Sequence, residues 1–196
     1  VLLLPLTPSL SGDVYRYLWE GRVLVAGGDP YRQSPSDPAL RALRDDVVWP
    51  QINHPELSTI YPPLAEAGFA LVARVWPTVA GMKLWIVLHD LLLVGVLAFW
   101  SKRERGSGVW VLAYAWNPLV LVEYAGSGHN DPTSMVWLAL ALLLMDRKPM
   151  GSALAASAAV LTKLVPLVAI PFLLARWPWR ARVLAIALIG TGLGWF

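Results

Sequence analysis

The sequence has no cysteine and few charged residues for its length. Without cysteine, the chain has neither a disulfide framework nor a thiolate metal site. Its three histidines, His54, His89 and His129, are too scattered in sequence to suggest a zinc motif. Charged residues make up 15% of the chain, whereas a soluble domain carries about 25%. Long apolar runs take their place, so the sequence predicts an all-α integral membrane protein, a polytopic helix bundle.

Basic residues outnumber acidic ones by 16 to 13, and the isoelectric point of the sequence is about 9.4. Such a balance can indicate a nucleic-acid partner. Here the basic residues fall in short loops between the apolar runs, where they set the orientation of membrane helices. We therefore exclude nucleic acid and expect membrane lipids as partners.

The apolar runs predict membrane spans near residues 84–100, 109–125, 132–145, 151–162, 167–175 and 183–196. The fourth and fifth of these form one apolar run that begins and ends at basic loops, so it cannot cross the membrane once. Lys163 and Pro166 lie at its middle, and a proline removes a helix hydrogen bond. We therefore predict two short helices with Lys163 at the turn between them.

A weaker apolar segment, 62–79, carries two charges and three prolines and is predicted to lie as a helix at the outer interface. It divides the chain into two regions. Residues 1–61 are predicted to form the end of a first membrane helix and a long structured outer loop with short juxtamembrane helices. Residues 62–196 are predicted to form the transmembrane bundle. Val1 to Leu6 resembles the end of a helix, and Phe196 falls inside an apolar run. We interpret the chain as a fragment truncated at both ends.

Lysine and arginine in the short loops predict which side of the membrane each loop faces. They follow several of the apolar runs, at Lys102, Arg103, Arg105, Arg147, Lys148, Arg176, Arg180 and Arg182. The loop 126–131 has none. With the basic loops in the cytoplasm, the loop 126–131, the turn at Lys163 and the long loop 7–61 all face outward.

The outer loop contains local signals for helices. Ser11 is predicted to cap a helix that runs to about Ala26 and stops at Gly27-Gly28. Asp13, Arg16, Tyr17 and Glu20 then share one face of that helix. Asp37-Pro38 is a second start signal and predicts an amphipathic helix over residues 39–48.

Ionisable side chains gather on the predicted outer side, which indicates a site at the outer membrane face. They are Asp13, His54, Glu56, His129, Asp131 and Lys163, with Glu123, His89 and Asp90 in the outer parts of helices. Structural roles are the alternatives: Asp13 at a helix N-terminus, the 129–131 segment as a turn and cap, and Lys163 extending to the interface. We interpret His89-Asp90 as a packing contact between helices.

Four segments carry a resemblance to a known family: SGDVYRYLWEGRV with GGDPY, INHPE with TIYPPLAE, WNPLVLVEYAGSGHND, and LTKLVPLVAIPFLL. In this order they resemble the GT-C glycosyltransferases, most closely the bacterial polyprenol-phosphate-mannose-dependent mannosyltransferases. The resemblance implies the inverting transfer of a hexose from a polyprenyl-phosphate donor to a hydroxyl of a lipid or glycan acceptor. Mannose is the hexose that the family suggests. It places the reaction on the extracytoplasmic side of the cell membrane.

The resemblance also implies residue roles, with Asp13 as the catalytic carboxylate. Gly12 precedes Asp13 and Tyr15 replaces a second acid, so we expect no metal, and no cofactor besides the lipid-linked donor. Residues predicted to bind phosphate or substrate are Arg16, Arg22, His129, Asn130, Asp131 and Lys163. Accessory positions are Glu56, Tyr61, Asp90 and Glu123. The alternative functions are a multi-pass transporter or lipid flippase, and a non-catalytic membrane scaffold.

Overall fold

A computed structural model of the chain describes residues 3–8 and 10–194. All regular elements in these residues are helices, which confirms the predicted all-α class. The α-helices are α1 (Asp13–Val25), α2 (Pro63–Val75), α3 (Val79–Arg103), α4 (Val109–Ala115), α5 (Pro118–Val120), α6 (Asp131–Leu144), α7 (Pro149–Thr162), α8 (Ile170–Arg176) and α9 (Trp179–Leu193). Three 3₁₀ helices span Pro38–Leu43, Trp49–Gln51 and Val165–Ala169, and a π-helix spans Leu121–Ser127.

One helix in the described part of the chain, α3, is long and apolar enough to cross a membrane. Shorter apolar helices occupy Asp131–Leu144, Pro149–Thr162 and Val165–Arg176. The multi-pass arrangement therefore stays a prediction.

Helix α1 begins and ends close to the predicted residues. Gly12 occupies the cap position, and the hydroxyl oxygen of Ser11 accepts a hydrogen bond from the Asp13 amide at 3.1 Å. The helix stops because Gly27 takes a positive φ of 83°, which glycine adopts without strain. The predicted site helix is therefore present at the start of the outer loop.

The prediction of an amphipathic helix over residues 39–48 is wrong about the length of the helix. Asp37 accepts a hydrogen bond from the Ala39 amide at 2.8 Å and starts a helix, but this is a 3₁₀ helix that ends at Leu43. Arg44 then turns to an extended backbone, and its guanidinium donates to the carbonyls of Ser36 and Asp37. These bonds fold the chain back on itself instead of extending the helix.

The first hydrophobic core joins α1, α2 and the start of α3. Tyr17 stacks on Phe69 with 4.7 Å between ring centroids, and Trp19, Phe69 and Met82 are completely or almost completely buried. α1 and α2 approach each other closely at Gly21, where a Cβ atom would lie 2.3 Å from the carbonyl oxygen of Phe69. Residues of the segment 1–61 and residues of the segment 62–196 therefore pack into one core.

The second core joins α6, α7, α8 and α9 and is built from small side chains. Its buried residues are Ala141, Ala153, Ala155, Ala156, Leu173, Trp177, Ala181 and Ala185. Ser152 links the helices, because its hydroxyl donates to the Ala141 carbonyl at 2.6 Å and accepts from the Trp177 indole at 3.0 Å. Small residues let these helices pack at short distance.

Two of the apolar runs are interrupted, one against the prediction and one as predicted. The run 109–125 is not one helix, because Pro118 has no amide hydrogen and the chain changes from α4 through α5 into the π-helix. In the run 151–175 the break falls as the sequence predicts: α7 ends at Thr162, Lys163 is extended, and a 3₁₀ helix leads into α8. This second break places Lys163 at the end of α7.

Candidate active site

Asp13 lies in the first turn of α1, with 30% of its side chain exposed. Its Oδ1 accepts a hydrogen bond from Nδ2 of Asn53 at 2.7 Å. Its Oδ2 lies 3.6 Å from Nε2 of His129. A half-exposed carboxylate at a helix N-terminus is thus held by one loop and faced by another, and it remains open to a ligand.

Arg16 fixes the loop that carries Asn53. Its guanidinium is almost completely buried and donates to the carbonyls of His54 at 3.0 Å and Leu57 at 2.5 Å. Its Nε donates to Glu20 at 2.6 Å. These contacts occupy the donors of Arg16, so in this structure it organises the loop around Asp13.

A second acid, Glu66 of α2, is buried beside Glu20. Burial and the neighbouring Glu20 carboxylate raise the pKa of Glu66 to about 9, although the Thr59 hydroxyl donates to it at 2.7 Å. Burial also raises the pKa of Glu20, but the Arg16 guanidinium opposes this change, so we place the shared proton on Glu66. Among the described residues, the buried Oε2 atoms of Glu20 and Glu66 have no hydrogen-bond partner. A proton on Glu66 supplies a donor at this place.

The π-helix brings Glu123 to His129. The amide of His129 donates to the Glu123 carbonyl at 3.0 Å, and Nδ1 of His129 lies 2.5 Å from Oε2 of Glu123. Gly128 between them has a φ of 80°, and a Cβ there would approach Val14 and Lys83 at 3.1 and 3.2 Å. Only glycine fits this turn well, so the turn packs directly on α1.

Asp131 and Lys163 form an ion pair with 2.5 Å between Oδ1 and Nζ. Both side chains are about one third exposed. Asn130, between His129 and Asp131, is buried, and the Thr133 hydroxyl donates its one hydrogen toward the Asn130 carbonyl oxygen at 2.6 Å and its Oδ1 at 2.8 Å. The segment 129–131 thus connects the Asp13 carboxylate to the Lys163 ammonium.

Two cavities adjoin this cluster. The first, of about 160 Å³, is the more polar of the two and is called the polar cavity; it is lined by Asp13, Asn53 and Tyr61 among other residues. A more apolar cavity of about 240 Å³ lies between α2, α3, α6 and α7, with Asn130 and Thr162 in its wall. The cluster therefore lies between a polar space and an apolar one.

The remaining predicted site residues make other contacts. Arg22 forms an ion pair with Asp45. Partial burial opposes ionisation of Asp45, but bonds from the Val48, Trp49 and Val47 amides and from Arg22 lower its pKa to about 2. Asp90 accepts a hydrogen bond from the Tyr114 hydroxyl at 2.7 Å, a contact between α3 and α4.

Glu56 is exposed and lies 3.6 Å from Nδ1 of His54. Tyr61 packs its ring on Tyr17 and Phe69. Asn53 was missed as a site residue, although it lies within the INHPE segment, beside His54. The available signal for Asn53 was a side-chain amide next to a turn that contains proline. Such turns are rigid enough to hold a side chain in one direction.

Within residues 3–8 and 10–194, no group of three histidine or acidic side chains is arranged to hold a metal ion. The expectation that the protein uses no metal and no separate cofactor stays a prediction.

In the described residues, a carboxylate, an imidazole and an ammonium group therefore lie together on a helical framework beside two cavities. Residues 2–179 match the family model described as alpha-(1->6)-mannopyranosyltransferase, N-terminal domain. The chain belongs to this family, and its resemblance to the GT-C mannosyltransferases is confirmed.

Two relatives share the family's name. The alpha-(1->6)-mannopyranosyltransferase A of Mycobacterium tuberculosis is 30% identical over 194 residues, which cover 90% of this chain and 34% of the relative. The protein of the same name from Corynebacterium glutamicum is 28% identical over 177 residues, 84% of this chain and 34% of the relative. The chain thus spans about a third of the length of these relatives. No solved structure matches the chain significantly.

Proposed function

We propose that this protein is a multi-pass membrane mannosyltransferase that moves mannose from a polyprenyl-phosphate donor to an acceptor hydroxyl. The family and the names of the two relatives support mannosyl transfer and an α-(1→6) linkage. The observation that carries the proposal is the half-exposed Asp13 carboxylate, held by Asn53 and joined through segment 129–131 to Lys163. No metal or separate cofactor takes part.

Asp13 is the general base in this proposal. The acceptor hydroxyl enters the polar cavity, and its proton moves to Oδ2 as its oxygen bonds to the anomeric carbon of the donor. The bond between that carbon and the phosphate oxygen breaks on the opposite face, which inverts the anomeric centre. A positioned base contributes about 10²–10⁴-fold to the rate of such a step.

Lys163 is the cation for the departing phosphate. Its ammonium group pairs with Asp131 at 2.5 Å and is about one third exposed, so an anionic ligand can reach it. A fixed positive charge stabilises the negative charge that develops on the leaving group. Arg16 is almost completely buried and bonded to loop carbonyls and to Glu20. Lys163 and Arg22 each pair with a carboxylate, but the partner of Lys163 is Asp131, which belongs to the segment that reaches Asp13. We therefore assign the phosphate to Lys163.

The apolar cavity fits the start of the donor's lipid tail. Its wall is mostly hydrophobic, with Leu64, Leu71, Trp85 and Trp137 among the lining residues. Thr162, adjacent to Lys163 in the chain, lies in the same wall. A phosphate at Lys163 therefore leaves its hydrocarbon chain beside α2, the helix predicted at the outer membrane interface.

The proposed membrane arrangement follows from the same geometry. The site residues of α1, the π-helix turn and the end of α7 lie together, as the positive-inside rule predicts for three outward-facing segments. The basic loops after α3, α6 and α8 then face the cytoplasm. This supports an active site on the extracytoplasmic side.

The test uses membranes from cells that express the complete gene, with polyprenyl phosphate carrying radiolabelled mannose. We expect transfer to acceptor by the wild type, and a rate at least about 10²-fold lower for Asp13→Asn. Asp46→Asn, an exposed aspartate in the same loop, should transfer as the wild type does.

Near-normal transfer by Asp13→Asn would remove Asp13 from the role of base. If the wild type moves polyprenyl phosphate across proteoliposomes and transfers no sugar, the flippase alternative replaces the proposed function.

A further inference from the structure

Glu123 and His129 meet only because the helix changes its hydrogen-bond pattern. In an α-helix, side chains three or four residues apart share a face, and these two are six apart. The π-helix Leu121–Ser127 and the left-handed Gly128 bring residue 129 back over residue 123. Single π-turns of this kind often occur at functional sites.

The backbone already closes this turn without the side chains. The His129 amide donates to the Glu123 carbonyl at 3.0 Å, and Gly128 packs against Val14. The contact of 2.5 Å between Nδ1 and Oε2 of Glu123 is therefore additional. It fixes the ring, with Nδ1 toward Glu123 and Nε2 toward Asp13.

The charges around the imidazole favour a proton-accepting role. Carboxylates face it on both sides, Asp13 from α1 and Glu123 from the π-helix. Asp131 of α6 is neutralised by Lys163 from the end of α7. Lys83 of α3 directs its ammonium away, to the carbonyls of Leu3 and Leu6 at 2.7 and 2.9 Å. The positive charge that the ring gains when it accepts a proton therefore lies between two carboxylates, which stabilise it.

We propose that Glu123 is a positioning residue that holds His129 as the acceptor of the proton which Asp13 takes from the substrate. This rests on the proposed function. The acceptor O–H bond breaks and the proton moves to Oδ2 of Asp13. The O–H bond on Asp13 then breaks and the proton moves to Nε2 of His129. The imidazolium, with Nδ1–H donated to Glu123, later loses its Nε2 proton to water, and Asp13 is again a carboxylate.

The proton transfer requires the ring to approach Asp13. The present separation of 3.6 Å is longer than a hydrogen bond. Both side chains are partly exposed, at 26% and 30%, so they can move together by the few tenths of an ångström needed. Glu123 holds the ring during this step, since a carboxylate partner selects the Nδ1–H tautomer.

The kinetic test is Glu123→Gln, which keeps the side-chain size and removes its charge, assayed as a function of pH in membranes of cells expressing the complete gene. We expect maximal transfer to fall about tenfold, less than for Asp13→Asn, because Asp13 still takes the first proton. Without the carboxylate, the imidazolium formed by the transfer loses one of its two flanking negative charges, so the acid limb of the pH–rate profile should move to lower pH. Glu104→Gln, an exposed acid at the end of α3, is the matched control and should leave the profile unchanged.

A second measurement does not depend on activity. Nitrogen NMR of protein labelled in its three histidines should show His129 with its proton on Nδ1, and this signal should change in Glu123→Gln. His129→Gln identifies the signal.

The outcomes separate the two proposals. An inactive Asp13→Asn together with a wild-type pH profile for Glu123→Gln would overturn the role of Glu123 and leave the proposed function in place. A lower maximum with an unmoved acid limb would make Glu123 merely structural, which also overturns this inference. Near-normal transfer by Asp13→Asn would instead overturn the proposed function itself.

Discussion

The two cores of the molecule bury different kinds of side chain. The core around α1 and α2 buries large aromatic side chains and the charged groups of Arg16 and Glu20. The core around α6, α7 and α9 buries mainly alanine, with serine hydroxyls bonded to backbone carbonyls. Both are closely packed, but among the described residues the first core alone contains a buried ion pair.

The side chains on the surface of the second region bear on this difference in composition. Around the second core, large apolar side chains are exposed, among them Leu154, Val168, Phe172, Val183 and Ile186. Small residues inside and large apolar residues outside are typical of helices that pack in lipid. The first region also exposes large apolar side chains, among them Val47, Ile60 and Val75, but it buries the charged groups of Arg16 and Glu20 beside the site. This contrast supports the multi-pass proposal.

Gly21→Ala should have the largest effect on stability, because the first core depends on close backbone contact. The added Cβ would lie 2.3 Å from the Phe69 carbonyl oxygen and 3.0 Å from the Ala73 Cβ. Backbone atoms cannot rotate away, so we expect a loss of about 3 kcal/mol, measured by thermal unfolding in detergent.

Gly95→Ala in α3 is the matched control. A Cβ there meets nothing within 4 Å, so the substitution should be neutral or stabilise the helix by up to about 1 kcal/mol. Equal stability of both variants would show that α1 and α2 do not touch at Gly21.

Glu66→Gln should remove a pH dependence that belongs to the first core. Because the pKa of Glu66 is raised to about 9 in the folded protein, the folded state holds one more proton than the unfolded state between about pH 4.5 and 9. Stability therefore falls as pH rises through this range, by up to about 1.4 kcal/mol per pH unit. Glutamine mimics the neutral acid, so the variant should be more stable than the wild type at pH 8, by a few kcal/mol.

The measurement is the free energy of unfolding at pH 5 and pH 8. Glu104→Gln is exposed and should keep the wild-type dependence on pH. An unchanged slope in Glu66→Gln would mean that Glu66 is ionised in the folded protein.

Ser152→Ala tests the second core and should have the smallest effect. The variant loses the bond to the Ala141 carbonyl and leaves the Trp177 indole without its acceptor. We expect a loss of about 1–2 kcal/mol, since the cost is that of unpaired buried polar groups. Thermal unfolding measures it, with Ser107→Ala in the loop before α4 as a neutral control. A loss as large as for Gly21→Ala would remove the difference between the two cores.

Much of the site's location could be predicted from the sequence because it depends on local signals. Gly27 ends α1 through its positive φ, and the extended Lys163 divides two helices, as the charge and Pro166 indicate. Charge placement in loops predicted that Asp13, His129 and Lys163 face one side. The structure places them in one connected cluster, while their chemical roles stay proposals.

The remaining contacts depend on long-range packing that no local pattern encodes. Arg16 appears free to bind phosphate in a sequence, and only the folded loop shows its donors occupied by His54 and Leu57 carbonyls. The π-helix has no simple hydrophobic period, so the contact of Glu123 with His129 was not expected. Glu66 appeared to be an interfacial charge, but burial against Glu20 makes it neutral.

The contacts of Arg16 also matter for how the site behaves in the proposed membrane arrangement. Its guanidinium fastens the segment that bears Asn53 to the same short helix that bears Asp13. The carboxylate and its hydrogen-bond donor therefore move as one unit. In the proposed membrane arrangement, the spans can tilt when the lipids thin, thicken or change composition, while the direction of this carboxylate relative to Asn53 is preserved.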